Sequence, residues 1–258
     1  MAPLISVIIP AFRAGETVAR AVRSVMAAGV PEDRLEILVE SDDGTDYAGA
    51  AALSPAVRVG VSGAVGSGVG PARNRAMARA RGEWLTFLDA DDAFSPGYLS
   101  ALLPLAQGHG AAAAPLRVVE GGQTILDLWS RQSWLGLADL AATGASVRLM
   151  LARDGCPPFA DALSQDILHA VQVIAGLGGS VPLSGVPYLL NLHPQSVTAA
   201  DDFSARVHSA YQDHVAQLDR IGQPAAADVF RAKIALNAAY EQQGRGRSYY
   251  RFIADTLR

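Results

Sequence analysis

The chain has 258 residues, half of them hydrophobic, a formal net charge of −4 and a single cysteine, Cys156. That length and apolar content give room for one large α/β domain, or a domain with a helical extension, around a sizeable core. The slightly acidic balance, with no strong basic run, argues against non-specific nucleic-acid binding. A lone cysteine excludes an internal disulfide and any multi-cysteine metal cage, so Cys156 is expected to be a small buried or half-buried thiol.

Ile5-Ser6-Val7-Ile8-Ile9-Pro10 is β-branched and almost wholly apolar, which predicts a central strand covered on both faces. No basic segment precedes it, and no stretch approaches ~18 continuous apolar residues. The expected location is the cytoplasm, in solution or against a membrane face. Val18, Val22, Val25 and Met26 recur at helical spacing, with Gly29 as the expected C′ glycine. Leu35–Val39 reads as a second strand, and the acidic loop Glu40-Ser41-Asp42-Asp43-Gly44-Thr45-Asp46 follows it. A short alanine-rich helix then leads to a third strand near Val57–Val61.

Gly63, Gly66, Gly68 and Gly70 come next and open a helix predicted over Pro71–Arg81, ended by Gly82. Trp84–Leu88 is the fourth strand, running into Asp89-Ala90-Asp91-Asp92. Ser95-Pro96 reads as an N-cap with proline at N1, starting a helix to about Leu105. Signals from Ala111 to Arg153 are mixed. Pro187–Asn191 reads as a strand, and the chain after Asp201 has helical periodicity through Val207, Tyr211, Val215, Leu218, Ile234, Leu236 and Tyr240. Alternating strand and helix predicts an α/β fold with a mostly parallel sheet flanked by helices, and a C-terminal helical extension packed on it.

Ligands of open α/β sheets bind beyond the carboxyl ends of the strands. Three carboxylates within Asp89–Asp92 repel one another, and a hard divalent cation, Mg2+ or Mn2+, holding a diphosphate would reconcile them. Asp89 and Asp91 point the same way from an extended strand end, so one can reach a sugar hydroxyl while the other ligates metal. The competing reading is a solvated acidic turn in which Asp92 caps the next helix. Glu40, Asp42, Asp43 and Asp46 invite the same reasoning, against ordinary Asx-turn chemistry around Gly44. Arg73 and Asn74, in the first helical turn after the glycines, are placed to face an anionic or hydroxylated donor. The Gly63–Gly70 loop also admits an NAD(P)-binding oxidoreductase, although it ends Gly-x-Gly-Pro and follows the third strand rather than the first.

Six ordered pieces resemble glycosyltransferase family 2. They are Ser6–Phe12, Glu40–Asp46, Gly70–Asn74, Gly82–Asp92, Ser164-Gln165-Asp166 and His193-Pro194-Gln195-Ser196-Val197-Thr198. The resemblance implies the GT-A fold, a nucleotide-sugar donor (usually a UDP-sugar), a divalent metal, and inverting transfer to a hydroxyl of a glycan, lipid or small molecule. By position it implies that Pro10, Ala11, Phe12 and Glu16 contact the nucleotide and that Glu40 or Asp42 holds the base. Asp89 and Asp91 would form the Asp-x-Asp pair, with Asp91 the metal ligand and His193 its partner near the diphosphate. Asp166 would be the catalytic base. Three positions depart from the family's pattern: Glu40-Ser41 where paired aspartates are commoner, Gln165 where glutamate usually precedes the base, and Asn191 where an arginine is usual.

On this reading residues 1–200 form the transferase domain, with a nucleotide-sugar half over 1–92 and an acceptor half over 93–200, and 201–258 form the helical extension. A non-catalytic nucleotide-sugar-binding protein of the same fold is the remaining alternative. The tail Arg245-Gly246-Arg247-Ser248-Tyr249-Tyr250-Arg251-Phe252 mixes basic and aromatic residues. It reads as a docked terminal helix with a solvated basic face, or as a peripheral contact with an anionic membrane.

Overall fold

A computed structural model of the chain describes residues 3–61, 63, 65–193, 203–244 and 247–257. Pro194–Thr198 of the sixth motif, and Arg245 and Gly246 of the tail, lie outside them. The N-terminal half alternates as its periodicity predicts: β1 (Ile5–Ala11), α1 (Val18–Met26), β2 (Leu35–Ser41), α2 (Ala48–Ala51), β3 (Val57–Val61), α3 (Val69–Met77) and β4 (Trp84–Phe87). Next come β5 (Ala93–Phe94), α4 (Tyr98–His109), β6 (Ala111–Ala113), β7 (Leu116–Glu120), β8 (Gln123–Leu128), β9 (Trp134–Gly136), α5 (Leu137–Ala141) and β10 (Leu149–Ala152). The rest comprises α6 (Gln165–Gly176), β11 (Ser180–Pro182), β12 (Tyr188–Leu192), α7 (Phe203–Arg220), α8 (Pro224–Gln243) and α9 (Tyr249–Thr256).

The main sheet has the order β3-β2-β1-β4-β10-β6. Its first four strands are parallel, and β10 runs antiparallel to both neighbours. β1 and β2 are buried along their whole length, as expected of strands covered on both faces, and the Ser6 and Glu36 side chains enclosed there bond to each other. A second sheet, β5-β12-β7-β8, lies outside any single-sheet reading of the sequence. The Asp89–Asp92 turn connects the two sheets, because β4 belongs to the first and β5 to the second.

Three boundaries differ from the sequence expectation. α4 begins at Tyr98, behind a left-handed Gly97, so Ser95 and Pro96 form the turn before the helix rather than its cap. It runs on to His109 and stops at the left-handed Gly110. α3 closes at Met77, short of Gly82. Gly82 instead permits a close crossing: a Cβ there would lie 2.5 Å from the Ser6 nitrogen, and its N–H donates to Ser6 Oγ at 2.9 Å. Finally, Gly29 has the positive φ expected of it but lies two residues past the Ala27 cap, where it packs on Ser100.

The C-terminal helices are present as the periodicity predicts. Tyr249, Tyr250, Phe252 and Ile253 of α9 are buried, so this segment spends its aromatic side chains on the protein core. Its Arg251 pairs with Glu120 of β7 and Arg247 with Asp255. Cys156 is half-buried, and burial pushes its thiol up to about 12, which suits a packing role.

Candidate active site

The parallel register of β1 with β2 and with β4 brings the carboxyl ends of these three strands to one edge of the sheet. At the end of β4 the three aspartates separate into three environments. Asp89 is held by two guanidiniums, Arg73 on Oδ1 and Arg148 on Oδ2. Burial pushes the Asp89 carboxyl up, but the Arg148 and Arg73 charges outweigh it and hold it well below the usual carboxylate range. The side chain of Asp91 is 40% exposed, and its Oδ2 lies 2.8 Å from His193 Nε2. The Asp91 carbonyl accepts from Arg20 and, at 3.2 Å, from Asn191 Nδ2. Asp92 is buried and accepts from Tyr188 Oη at 2.7 Å and from the Asn191 N–H at 2.8 Å. Burial, with the neighbouring charges of Asp91 and Asp89, raises its pKa well above the usual value. Asp92 is therefore no helix cap: it ties the β4 turn to β12.

Asp166 occupies the first turn of α6, behind Ser164 in the left-handed region (φ 59°). Its Oδ2 takes Arg148 Nη1 at 2.9 Å. Arg148 is itself buried, donates to Ser146 Oγ at 2.7 Å, and so joins Asp89 and Asp166 through one guanidinium. Burial lowers its pKa, but the Asp89 and Asp166 charges more than offset this and raise it, so it stays protonated. Gln165, at the position where the family usually has glutamate, accepts from Arg73 Nη1 at 3.0 Å. The two arginines thus span from the β4 end to the start of α6. Sequence reasoning missed Arg148. The available signal was a cation placed directly before the apolar run Leu149-Met150-Leu151, where a charge at the mouth of a buried strand needs a partner.

The acidic loop after β2 is committed differently. Glu40 is 1% exposed and bound by Arg75 (Nε to Oε1, 2.9 Å) and Arg79. Asp42 accepts from the Gly68 N–H at 2.9 Å, the Ser67 N–H at 3.2 Å, the Ser67 hydroxyl and Arg75 Nη2 at 2.9 Å. Burial pushes its pKa up, but these donors outweigh burial and hold it below the usual carboxylate range. Asp43 takes the Arg13 N–H at 2.6 Å and the Tyr47 hydroxyl at 2.9 Å, which fixes the loop after β1. Asp46 accepts from the Ala48 N–H, an Asx-type contact.

This settles what the glycines do. The Ser67 and Gly68 N–H groups just before α3, which a dinucleotide fold would offer to a pyrophosphate, are already taken by Asp42. Gly70 is needed for packing, since a Cβ there would lie 2.2 Å from the Ala160 carbonyl oxygen. The oxidoreductase reading loses its phosphate cradle.

Arg73 and Asn74 do not face an open cleft, contrary to expectation. Arg73 is fully buried beneath Asp89, Gln165 and the Phe159 ring. Asn74 exchanges two 2.8 Å hydrogen bonds with the Phe159 backbone and so pins the 157–160 segment. Arg73 is drawn inward by Asp89 and Gln165, while the half-buried Asn74 has both its amide groups occupied by the Phe159 backbone. Pro10 and Ala11 lie at the buried end of β1, and the Ala11 carbonyl accepts from the Asp42 N–H at 2.8 Å. Phe12 is 51% exposed, with the Arg13 guanidinium 5.1 Å from its ring centroid, and Glu16 is exposed nearby in sequence.

Asp91 and His193 are the residues that could hold a divalent cation. Among the described residues no cluster of three or more His, Cys, Asp and Glu is poised to do so. An O/N pair at an open strand end fits a cation that takes its remaining ligands from phosphate and water, the usual habit of Mg2+ and similar hard ions. No helix among the described residues is long and apolar enough to cross a membrane.

The profile of glycosyl transferase family 2 matches residues 6–160. The succinoglycan biosynthesis protein ExoO of Rhizobium meliloti (strain 1021) is 33% identical over 116 residues, 43% of this chain. That match spans 32% of ExoO, about a third of its length. Among solved structures, TarS residues 1–349 of S. aureus in complex with UDP-GlcNAc superposes with a TM-score of 0.69 at 16% identity, covering 94% of this chain and 74% of that one. The mannosyltransferase PcManGT of Pyrobaculum calidifontis, in complex with GDP-Man and Mn2+, gives 0.61 at 16% identity, with 99% and 74% covered. At these identities the structural likeness concerns the fold, a GT-A architecture.

Proposed function

The chain belongs to glycosyltransferase family 2, and from that premise we propose that it moves a sugar from a nucleoside-diphosphate sugar to an acceptor hydroxyl, with Asp166 as the general base. The observation that carries the reading is Arg148. One guanidinium binds both the first aspartate of the strand-four motif and Asp166, so the base carboxylate stands one side chain away from the donor end of the sheet.

The donor lies across the ends of β1, β2 and β4. The exposed Phe12 ring offers a stacking face for the base, and Glu16 and the Pro10–Ala11 backbone line that side. Asp42 and Glu40 act behind this surface: they hold the glycine loop, Arg75 of α3 and Arg79 just after it rather than touching the base directly. Asp89, kept ionised and oriented by Arg73 and Arg148, accepts from a sugar hydroxyl. Asp91 and His193 hold Mn2+ or Mg2+. When bound, the cation supplies positive charge to the leaving diphosphate.

In the transfer, the acceptor oxygen attacks the anomeric carbon in line with the departing diphosphate, inverting that centre. The new C–O bond forms as the bond to the diphosphate oxygen breaks, and the hydroxyl proton passes to Asp166. The guanidinium of Arg148 sits on Oδ2 of Asp166 and leaves Oδ1 for that proton.

The test is a thermal-shift screen of UDP-, GDP- and dTDP-sugars, each with and without Mn2+. One nucleotide class is expected to raise the Tm in a metal-dependent way, because a ligand that binds only the folded state stabilises it. Stabilisation by NAD(P)H alone, or by none of the sugars, overturns the reading.

A further inference from the structure

Two buried titratable side chains of the C-terminal helices point away from solvent and toward the base. Lys233 of α8 is 0% exposed, and its Nζ donates to the Thr143 carbonyl at 2.7 Å and to the Ala145 carbonyl at 3.0 Å. His214 of α7 is buried, and its Nε2 lies 3.0 Å from the Leu163 carbonyl oxygen. A carbonyl only accepts, so that nitrogen carries the proton. The two anchored segments run directly into the two members of one ion pair: Thr143–Ala145 into Ser146 and Arg148, and Leu163 into Ser164 and Asp166.

We propose that Lys233 and His214 are positioning residues for the transfer. The C-terminal helices thereby form part of the catalytic apparatus, holding Arg148 and Asp166 in register through the backbone that precedes each. This rests on Asp166 being the base.

An amine is a costly group to bury for packing alone. Burial lowers the Lys233 pKa to about 7, and the Asp166 charge raises it only in part. An apolar side chain of similar length would fill the volume without that cost. What Lys233 adds is two donors aimed at a strand-free stretch, 142–148, whose carbonyls no β-ladder satisfies. The imidazole of His214 is likewise held below its usual pKa, burial being the main cause, and donates as the neutral ring. Ring packing does not require it to be histidine, since its neighbour is Phe230 at 4.9 Å between centroids.

The experiment compares Lys233→Met and His214→Phe, which keep bulk and remove the donors, with His214→Asn, which keeps a donor. Two readouts are taken on the full chain. The first is hydrogen exchange at the amides of 143–148 and 163–168, with no donor present. The second is nucleotide release from whichever of UDP-N-acetylglucosamine and GDP-mannose the wild type turns over. The proposal expects exchange at least tenfold faster in both segments with β1 unchanged, kcat at least tenfold lower and donor KM within twofold. His214→Asn is expected to recover most of the kcat lost in His214→Phe. If Lys233→Met does not fold, the His214 pair decides. Unchanged exchange in the two segments, unchanged kcat in a folded variant, or a rise in donor KM alone overturns the proposal. If the wild type turns over neither donor, the assignment of Asp166 as base is in question, while the exchange result still tests the positioning.

Discussion

The two acidic runs, Glu40–Asp46 after β2 and Asp89–Asp92 after β4, look alike in sequence and are used in opposite ways. In the first, the protein consumes its own carboxylates. Glu40 is saturated by Arg75 and Arg79, Asp42 by the α3 N-terminus and Arg75, and Asp43 by Arg13 and Tyr47. In the second, Asp92 is committed inward and Asp89 is braced by two arginines, but Asp91 projects into the open, where among the described residues His193 meets its carboxylate. A strand-end carboxylate is therefore read by what remains uncommitted on it, not by its place in an acidic run. The first run holds the glycine loop and its arginines, and the second leaves a carboxylate open at the sheet edge.

Substitutions that set committed groups against open ones test this contrast, and their effects on stability should fall in order. Arg148→Met should cost most, about 3–5 kcal/mol, because it takes from Asp166 its cation and from Asp89 one of its two. The urea midpoint at constant m-value measures it. Asp42→Ala should cost about 2–3 kcal/mol, since the Ser67 and Gly68 N–H groups lose their acceptor. Proteolysis at the glycine loop should accelerate in parallel. Asn74→Ala should cost about 1–2 kcal/mol by releasing the Phe159 backbone, with donor affinity changed less than twofold. A large loss of donor affinity there would restore the donor-facing role. Asp91→Asn should change stability by less than about 0.5 kcal/mol, as expected of a half-exposed side chain. It should nevertheless remove the Mn2+-dependent part of any Tm increase produced by UDP or GDP.

The contrast also marks how far the sequence could be read. The parallel half was legible because β1, β2 and β4 are largely apolar, and their carboxyl ends must meet at one edge of a parallel sheet. That Asp89 and Asp91 lie at this edge was legible for the same reason. Which carboxylate stays open to solvent was not, because Arg148 reaches Asp89 across 59 residues and Tyr188 reaches Asp92 across 96. Pairings so distant leave no local period. The inward turn of Arg73 and Asn74 was hidden similarly: a helical position names a face, but Phe159 and Gln165, which cover that face, arrive from much later in the chain. β6 to β10 are short strands interrupted by turns, divided among three sheets, so neither alternation nor helical spacing could build up there.

The central claim is that Asp166 takes the acceptor proton while the donor is held elsewhere. Asp166→Asn tests it most directly, by measuring donor affinity calorimetrically and nucleotide release on the same protein. The account predicts donor affinity within about twofold of the wild type and turnover lower by about 10²–10⁴-fold, the usual contribution of a general base. Turnover within a few-fold of the wild type would contradict it.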